Sequence, residues 1–236
     1  MDIRGKGVLV TGGSKGLGAA LAEELAARGA RVVVLARDHA ALDRVVERIR
    51  AAGGEAHALV ADVADKQAVH RVAAVAAELA GPIRVLVHNA STLGPLPMPA
   101  LADTACEDLA AVLETNLIGP FRLTKALAGP MVLAGEGLVV HVTSDAATTP
   151  YPGWGAYGVS KAALEHLGRI WDAELAEAGV RFLTVDPGEM DTEMHAAAMP
   201  DADRATLAPP SEAARRIAAE IMTETASNSD ALEVQP

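Results

Sequence analysis

Cysteine is almost missing from this chain of 236 residues. Cys106 stands alone, so no intrachain disulfide and no thiolate metal site can form. It lies in Thr-Ala-Cys-Glu-Asp, which reads as a helix start, and is taken as a structural bystander. Aromatic residues are also scarce, at two Phe, two Tyr and two Trp. Half of the chain is hydrophobic, so the core must be built from Val, Leu, Ile and Ala. Positive charge is in the minority, with 20 Lys and Arg against 31 Asp and Glu, a net charge of −11. That balance speaks against nucleic acid or an anionic membrane surface as the main partner. No apolar run is long enough to span a bilayer. The first residues, MDIRGKGVLVTGG, enter a strand at once, so no signal peptide is expected and a cytoplasmic protein is. The seven histidines show no H-E-x-x-H or comparable spacing, and no catalytic metal is expected.

What is present is a regular alternation of strand and helix signals, as a parallel sheet with crossover helices requires. Short Val/Leu/Ile/Ala runs predict strands at 7–11, 31–36, 56–61, 83–88, 137–143 and 180–185. They lack strict alternation, as strands buried on both faces do. Helices are predicted over 15–28, 39–52, 66–80, 104–131, 155–178 and 211–224. Asp38 and Ser211 read as N-caps, with Asp65 placed to cap the third helix, and Gly53 and Gly179 read as helix stops. Ala231 to Val234 are the candidate for a last strand. With no repeats, linkers or low-complexity stretches, the expectation is a single α/β domain over 1–236, a doubly wound parallel sheet. A chain of this size buries roughly 70–75% of its unfolded surface.

Two stretches carry chemistry. In YGVSK, Tyr157 and Lys161 are four apart, which a helix brings onto one face. A neighbouring ammonium favours phenolate and is expected to pull the Tyr157 pKa down from about 10, giving a general acid/base. Ser144 lies upstream, at the end of the apolar run GLVVHVTS. The second stretch is VLVTGGSKGLG. Its glycines allow a tight turn and a close approach of backbone to a pyrophosphate at a helix N-terminus. The spacing is G-x3-G-x-G, not G-x-G-x-x-G.

TGGSKGLG, followed in order by Asp62-Val63, Asn89-Ala90, Asn116, Ser144, Tyr157, Lys161 and Pro187-Gly188-Glu189-Met190-Asp191-Thr192, resembles the short-chain dehydrogenase/reductase family along essentially the whole chain. The resemblance implies a Rossmann fold and the catalytic set Asn116, Ser144, Tyr157 and Lys161. Tyr157 would exchange a proton with a carbonyl or alcohol oxygen, and Ser144 would bind that oxygen. Lys161 would also bond the nicotinamide ribose. Asn116, in ETNLIGP, would distort its helix and hold a water linking Lys161 to a proton relay. The cofactor groove would be formed by Gly12, Ser14, Lys15, Gly16, Leu17, Gly18, Arg37, Asp62, Val63, Asn89, Ala90, Tyr157, Lys161, Pro187, Gly188, Met190 and Thr192. Asp62 and Val63 would contact the adenine. Residues 187–210 would be a substrate-covering lid. His88-Asn89-Ala90-Ser91 departs from the family's Asn-Asn-Ala-Gly at both outer positions.

Ala36 stands at the end of the second predicted strand, where NAD-type members carry an acid; Arg37 follows it, and Lys15 precedes Gly16 in the glycine-rich turn. Two cations suit a 2′-phosphate, so NADP(H) is favoured over NAD(H). The expected substrate is a small carbonyl compound or alcohol. Reduction of an imine, enone or pteridine-type ring is the enzymatic alternative. A catalytically idle nucleotide sensor or scaffold is the alternative of another class, although such a protein would be expected to lose Tyr157 or Lys161. His88, His141 and Asp145 invite a Ser/His/Asp hydrolase reading, but Thr143-Ser144-Asp145 is not a G-x-S-x-G elbow. The Ala- and Leu-rich helices near 104–131 and 155–178 predict a homodimer or homotetramer. Asp145 and Glu189 are candidates for pairing with a polar or basic substituent on the substrate.

Overall fold

The computed structural model describes residues 2–230. Six strands, β1 (Gly7–Thr11), β2 (Arg31–Ala36), β3 (Glu55–Val60), β4 (Ile83–His88), β5 (Gly137–Val142) and β6 (Val180–Val185), form one parallel sheet in the order β3-β2-β1-β4-β5-β6. The connections are α1 (Gly16–Ala27), α2 (His39–Ala51), α3 (Val69–Ala80), α4 (Cys106–Leu113), α5 (Gly119–Ala134) and α6 (Gly155–Leu175). After β6 come α7 (Glu193–Ala198) and α8 (Pro210–Asp230). The order reverses between β1 and β4, and a doubly wound sheet opens its ligand crevice at such a switch point.

Alternation along each strand divides the core in two. Val8, Val10, Val32 and Val34 face one way, against Leu21, Leu25, Leu42, Ile217 and Ile221 of α1, α2 and α8. Leu9, Val33, Leu35 and Leu86 face the other way, against Val72, Ala76, Leu123 and Leu127 of α3 and α5. The inner strands β1, β2, β4 and β5 are buried on both sides, which explains their continuous apolar sequence.

Several boundaries differ from expectation for identifiable reasons. Asp38 caps α2 as predicted, its carboxylate accepting from the Ala41 N–H at 3.0 Å. Helix α3 begins at Val69 rather than 66, because Asp65 first closes a turn, accepting from Gln67 N–H through its side chain and from Ala68 N–H through its carbonyl. The helix expected over 104–131 is interrupted. A π-helical turn at Glu114–Ile118 separates α4 from α5, and α5 runs on to Ala134, where Gly135 adopts φ 65°. Helix α8 starts at Pro210, a favoured first helical residue, so Ser211 lies inside the first turn instead of capping it. The candidate strand at Ala231 to Val234 lies outside the described residues.

His88 and His141 sit side by side in the β4/β5 register, with ring centroids 5.3 Å apart. His88 Nε2 and Thr124 Oγ1 are 2.8 Å apart. Burial pushes the His88 pKa well below its usual 6.5, with a further push from His141. Burial also lowers that of His141 to about 4, reinforced by the Lys161 charge and opposed by the nearby Leu164 backbone. Both rings are therefore neutral in the fold at pH 6, whereas a histidine in the unfolded chain takes up a proton below about 6.5. Folding stability is complete above that pH and falls as pH drops toward 4, by up to about 1.4 kcal/mol per pH unit for each histidine. Urea denaturation between pH 7 and 5 should show this slope, and His141→Gln should make it shallower. An unchanged slope in that variant would contradict the buried neutral assignment.

Candidate active site

The site is built at the carboxyl ends of β1, β4 and β5. Thr11, the last residue of β1, donates its hydroxyl to the Val87 carbonyl and accepts from the Asn89 and Ala90 N–H groups, each at 3.1 Å. The Asn89 amide donates back to the carbonyls of Thr11 and Gly12 at 3.0 and 3.2 Å. The end of β4 is thereby tied to the glycine-rich turn. Two glycines are required by this closeness. Gly12 has φ +67°, and a Cβ on Gly18 would lie 2.3 Å from the Gly12 carbonyl oxygen. The turn delivers the chain into α1, whose first N–H groups have no intrahelical partner and so suit an anion.

From the turn, a cleft of about 1620 Å³ runs along the sheet edge to the segment after β6. Of the candidate residues, only Asn116 does not line it. The cleft brings together Gly12, Ser14, Lys15, Gly16, Leu17 and Gly18 of the turn, Arg37 after β2, Asp62 and Val63 after β3, and Asn89 and Ala90 after β4. It continues past Ser144, Tyr157 and Lys161 to Pro187, Gly188, Met190 and Thr192. Asn89 faces the cleft with its side-chain amide already spent on the turn, which makes it a backbone clamp as well as a wall.

Lys161 is 2% exposed and donates from Nζ to the Val142 carbonyl at 2.8 Å. The ammonium lies 5.5 Å from the Tyr157 ring centroid, one turn away on α6. Helix α6 is locked there by Ser160, whose hydroxyl donates to the Tyr157 carbonyl at 2.6 Å. Asn116, buried in the π-helical turn, donates through Nδ2 to Ser160 Oγ and to the Thr92 carbonyl, both at 2.9 Å. Its Oδ1 accepts from Thr92 N–H at 2.8 Å. The expected distortion of the helix at Asn116 is present, and three hydrogen bonds of the Asn116 side chain tie that distortion to α6 and the loop after β4.

The electrostatics of the pair differ from the expectation drawn from spacing. Burial raises the Tyr157 pKa to about 12, opposed by the Ser144 hydroxyl and aided by the charges of Asp186 and Asp145. Burial lowers that of Lys161 to about 8, opposed by Asp186. Loss of water is the largest cause of both shifts. Tyr157 in the ligand-free site is a protonated acid, not a ready base.

At the far end of the cleft, Asp62 accepts from Ala64 N–H at 2.9 Å and lies 3.6 Å from Arg37. Lys15 is paired with Glu193 of α7. Both cations predicted for a 2′-phosphate are therefore exposed and held beside carboxylates. The segment at 187–210 is ordered by Thr192, which caps α7 by accepting from His195 N–H at 3.1 Å. A bridge between Met190 and Ala208 and an Arg204–Asp191 ion pair close its base.

Sequence reasoning passed over Tyr151, Trp154 and His195, all of which line the cleft. Tyr151 donates to Asp145 at 2.7 Å, and Ser144 donates to the other Asp145 oxygen at 3.0 Å. The rings of Tyr151, Trp154 and Tyr157 follow one another at 6.1 and 5.8 Å. Scarcity of aromatics was the available signal, since three of six fall between 151 and 157. The hydrolase reading fails on geometry: His88 pairs with Thr124, and Ser144 bonds Asp145 and the Ala146 N–H. No group of three or more His, Cys, Asp or Glu suited to a metal occurs among the described residues, and none of their helices is long and apolar enough to cross a membrane.

Residues 6–203 match the short chain dehydrogenase family. A short chain dehydrogenase of Pseudocercospora fijiensis is 38% identical over 201 residues, covering 83% of this chain and 63% of that protein. The 2,3-dihydro-2,3-dihydroxybenzoate dehydrogenase of Bacillus subtilis is 34% identical over 192 residues, covering 81% of this chain and 72% of that protein. Among solved structures, a metagenomic short-chain oxidoreductase in complex with NADP superimposes with a TM-score of 0.79 at 32% identity, covering 92% of this chain and 91% of that one. Actinorhodin polyketide ketoreductase with NADPH gives 0.84 at 30% identity, covering 90% and 88%. An NAD⁺-bound xylitol dehydrogenase gives 0.77 at 31%, covering 81% and 73%. With the glycine turn, the Tyr157–Lys161 pair and the strand order in place, this chain belongs to the short-chain dehydrogenase/reductase family of oxidoreductases.

Proposed function

We propose that the protein is an NADP(H)-dependent oxidoreductase that interconverts a small-molecule carbonyl and the corresponding alcohol. The observation that carries this reading is the buried Tyr157–Lys161 pair at the floor of a cleft that begins at the glycine-rich turn. The close-packed turn at Gly12 and Gly18 fits a pyrophosphate lying against backbone. When bound, the nicotinamide cofactor supplies or accepts the hydride. The chain supplies everything else. Tyr157, protonated in the free site, gives its proton to the substrate oxygen in reduction. Lys161 uses one of three donor hydrogens on Val142, leaving two for ribose hydroxyls, and its charge stabilises the phenolate left behind. Ser144 reaches the substrate oxygen by turning its hydroxyl hydrogen away from Asp145. Arg37 and Lys15 select the 2′-phosphate by exchanging Asp62 and Glu193 for it. Relatives holding NADP and NADPH support this choice.

Tyr157→Phe should lower turnover by roughly 10²-fold or more while leaving NADPH affinity and the fold intact, because only the transferable proton is removed. Steady-state assays with a ketone, paired with calorimetric NADPH binding, check this. Substantial residual turnover would remove Tyr157 from the mechanism. Arg37→Ala should reduce the preference for NADPH over NADH in kcat/KM by about tenfold, the scale of one charge-assisted bond. Equal efficiencies with both cofactors in the wild type would refute phosphate selection.

The assembly is proposed to be a homodimer or homotetramer through α5 and α6. Leu133, Val159 and Ile170 on these helices are 90, 52 and 45% exposed, an apolar display that a partner subunit would cover. Light scattering at micromolar concentration should give a multiple of the chain mass, and a clean monomer would contradict it.

A further inference from the structure

We propose that the substrate carries a positively charged ammonium group near its reacting carbon, held by Asp145 beside the Tyr151 and Trp154 rings. This rests on the reading of the cleft as a carbonyl/alcohol site and adds what its mouth recognises. Three independent features point the same way. The first is the ring cluster. A chain with six aromatic residues places three of them in succession at one wall, with centroid separations of 6.1 and 5.8 Å. Ring faces attract cations, and clusters of rings recognise substituted ammonium groups.

The second is Asp145. Its two oxygens accept from Ser144 and Tyr151, the Ala146 backbone N–H adds a weaker contact, and a carboxylate has about four acceptor sites. Acceptor capacity remains open next to the serine that binds the reacting oxygen. The Tyr151 bond, more than any other contact, keeps this carboxyl below the usual range, with Ser144 adding to it. Asp145 is thus a fixed negative charge, aimed by its neighbours rather than neutralised by them.

The third is the pairing of nearby cations. Lys15 is matched to Glu193 and Arg204 to Asp191, while Lys161 is buried at the floor against Val142. Glu189, a second carboxylate on the wall, has His195 at 3.8 Å and is 71% exposed. The mouth therefore presents negative charge with aromatic surface. It suits an ammonium and opposes carboxylates, phosphates and acidic carrier proteins. A ligand filling the cleft displaces water from Asp145, which strengthens an interaction that an exposed carboxylate alone would make weakly.

The test uses three ketones of similar size. They are 1,1-dimethyl-4-oxopiperidinium, its neutral isostere 4,4-dimethylcyclohexanone, and 4-oxocyclohexanecarboxylate. With NADPH and the full chain, kcat/KM should favour the cation over the neutral ketone by at least tenfold, with the anion poorest. Asp145→Asn should lower the cation-to-neutral ratio at least fivefold from its wild-type value, whatever it does to the absolute rates, and an unchanged ratio would overturn the role of Asp145. Trp154→Leu should lower the same ratio without changing any charge. Intrinsic differences in carbonyl reactivity are the same for every variant, so the change in ratio reports recognition. Binding is measured separately by calorimetry on the NADPH complex of Tyr157→Phe, which keeps the ring and cannot turn over. There the cation should bind at least tenfold tighter than its isostere. Tyr157-dependent turnover of the neutral ketone with no cation preference overturns this inference and leaves the carbonyl reading standing. Tight cation binding without turnover of any ketone does the reverse. Equal binding of cation and isostere overturns the inference even if no ketone is turned over.

Discussion

The hydrogen bond from Lys161 Nζ to the Val142 carbonyl is the interaction on which the site depends. It anchors the first turns of α6 to the end of β5 at 2.8 Å, inside a protein interior that leaves the side chain 2% exposed. An ammonium buried with one neutral acceptor is an incomplete arrangement, because desolvation is costly and a single bond offsets only part of it. The consequence is visible in its pKa, drawn down to about 8 by burial against the distant support of Asp186. Around this anchor the neighbours are fully committed. Ser160 closes onto the Tyr157 backbone, and Asn116 closes onto Ser160 and Thr92. Lys161 keeps two donor hydrogens beyond the one given to Val142.

The same logic of tied framework and unspent groups holds along the cleft. Thr11 and Asn89 consume one another's neighbouring backbone groups, so the glycine turn is rigid before any ligand arrives. Lys15 and Arg37 are restrained by Glu193 and Asp62, and these exposed partners are easily exchanged for a stronger anion. The Lys15–Glu193 pair also joins the glycine turn to α7.

The strands and most helices were legible in the sequence because a two-sided parallel sheet needs uninterrupted Val and Leu runs, and those are local. Tyr157, Lys161 and Ser144 were legible through spacing. What spacing does not carry is burial. Four residues on a helix place an ammonium near a phenol, but the sign of the resulting shift depends on how much water both have lost, and that is set by β5, α4 and the loop after β4. Asn116 signalled a distorted helix, yet not that its amide would be bonded to Thr92 and Ser160. Partners such as Glu193 for Lys15 lie 178 residues away and leave no local trace. The ring cluster at Tyr151, Trp154 and Tyr157 was within reach of composition alone, since so few aromatics exist to be grouped.

Burial, not attraction to Lys161, sets the charge state of Tyr157 in the free protein. Only two tyrosines are present, so in a Tyr151→Phe variant the ultraviolet phenolate band reports Tyr157 alone. Titrated without cofactor, that variant should develop no phenolate absorbance between pH 6 and 10, in keeping with a pKa raised to about 12. Half-ionisation at or below pH 8 would show that the lysine wins, and would contradict the account.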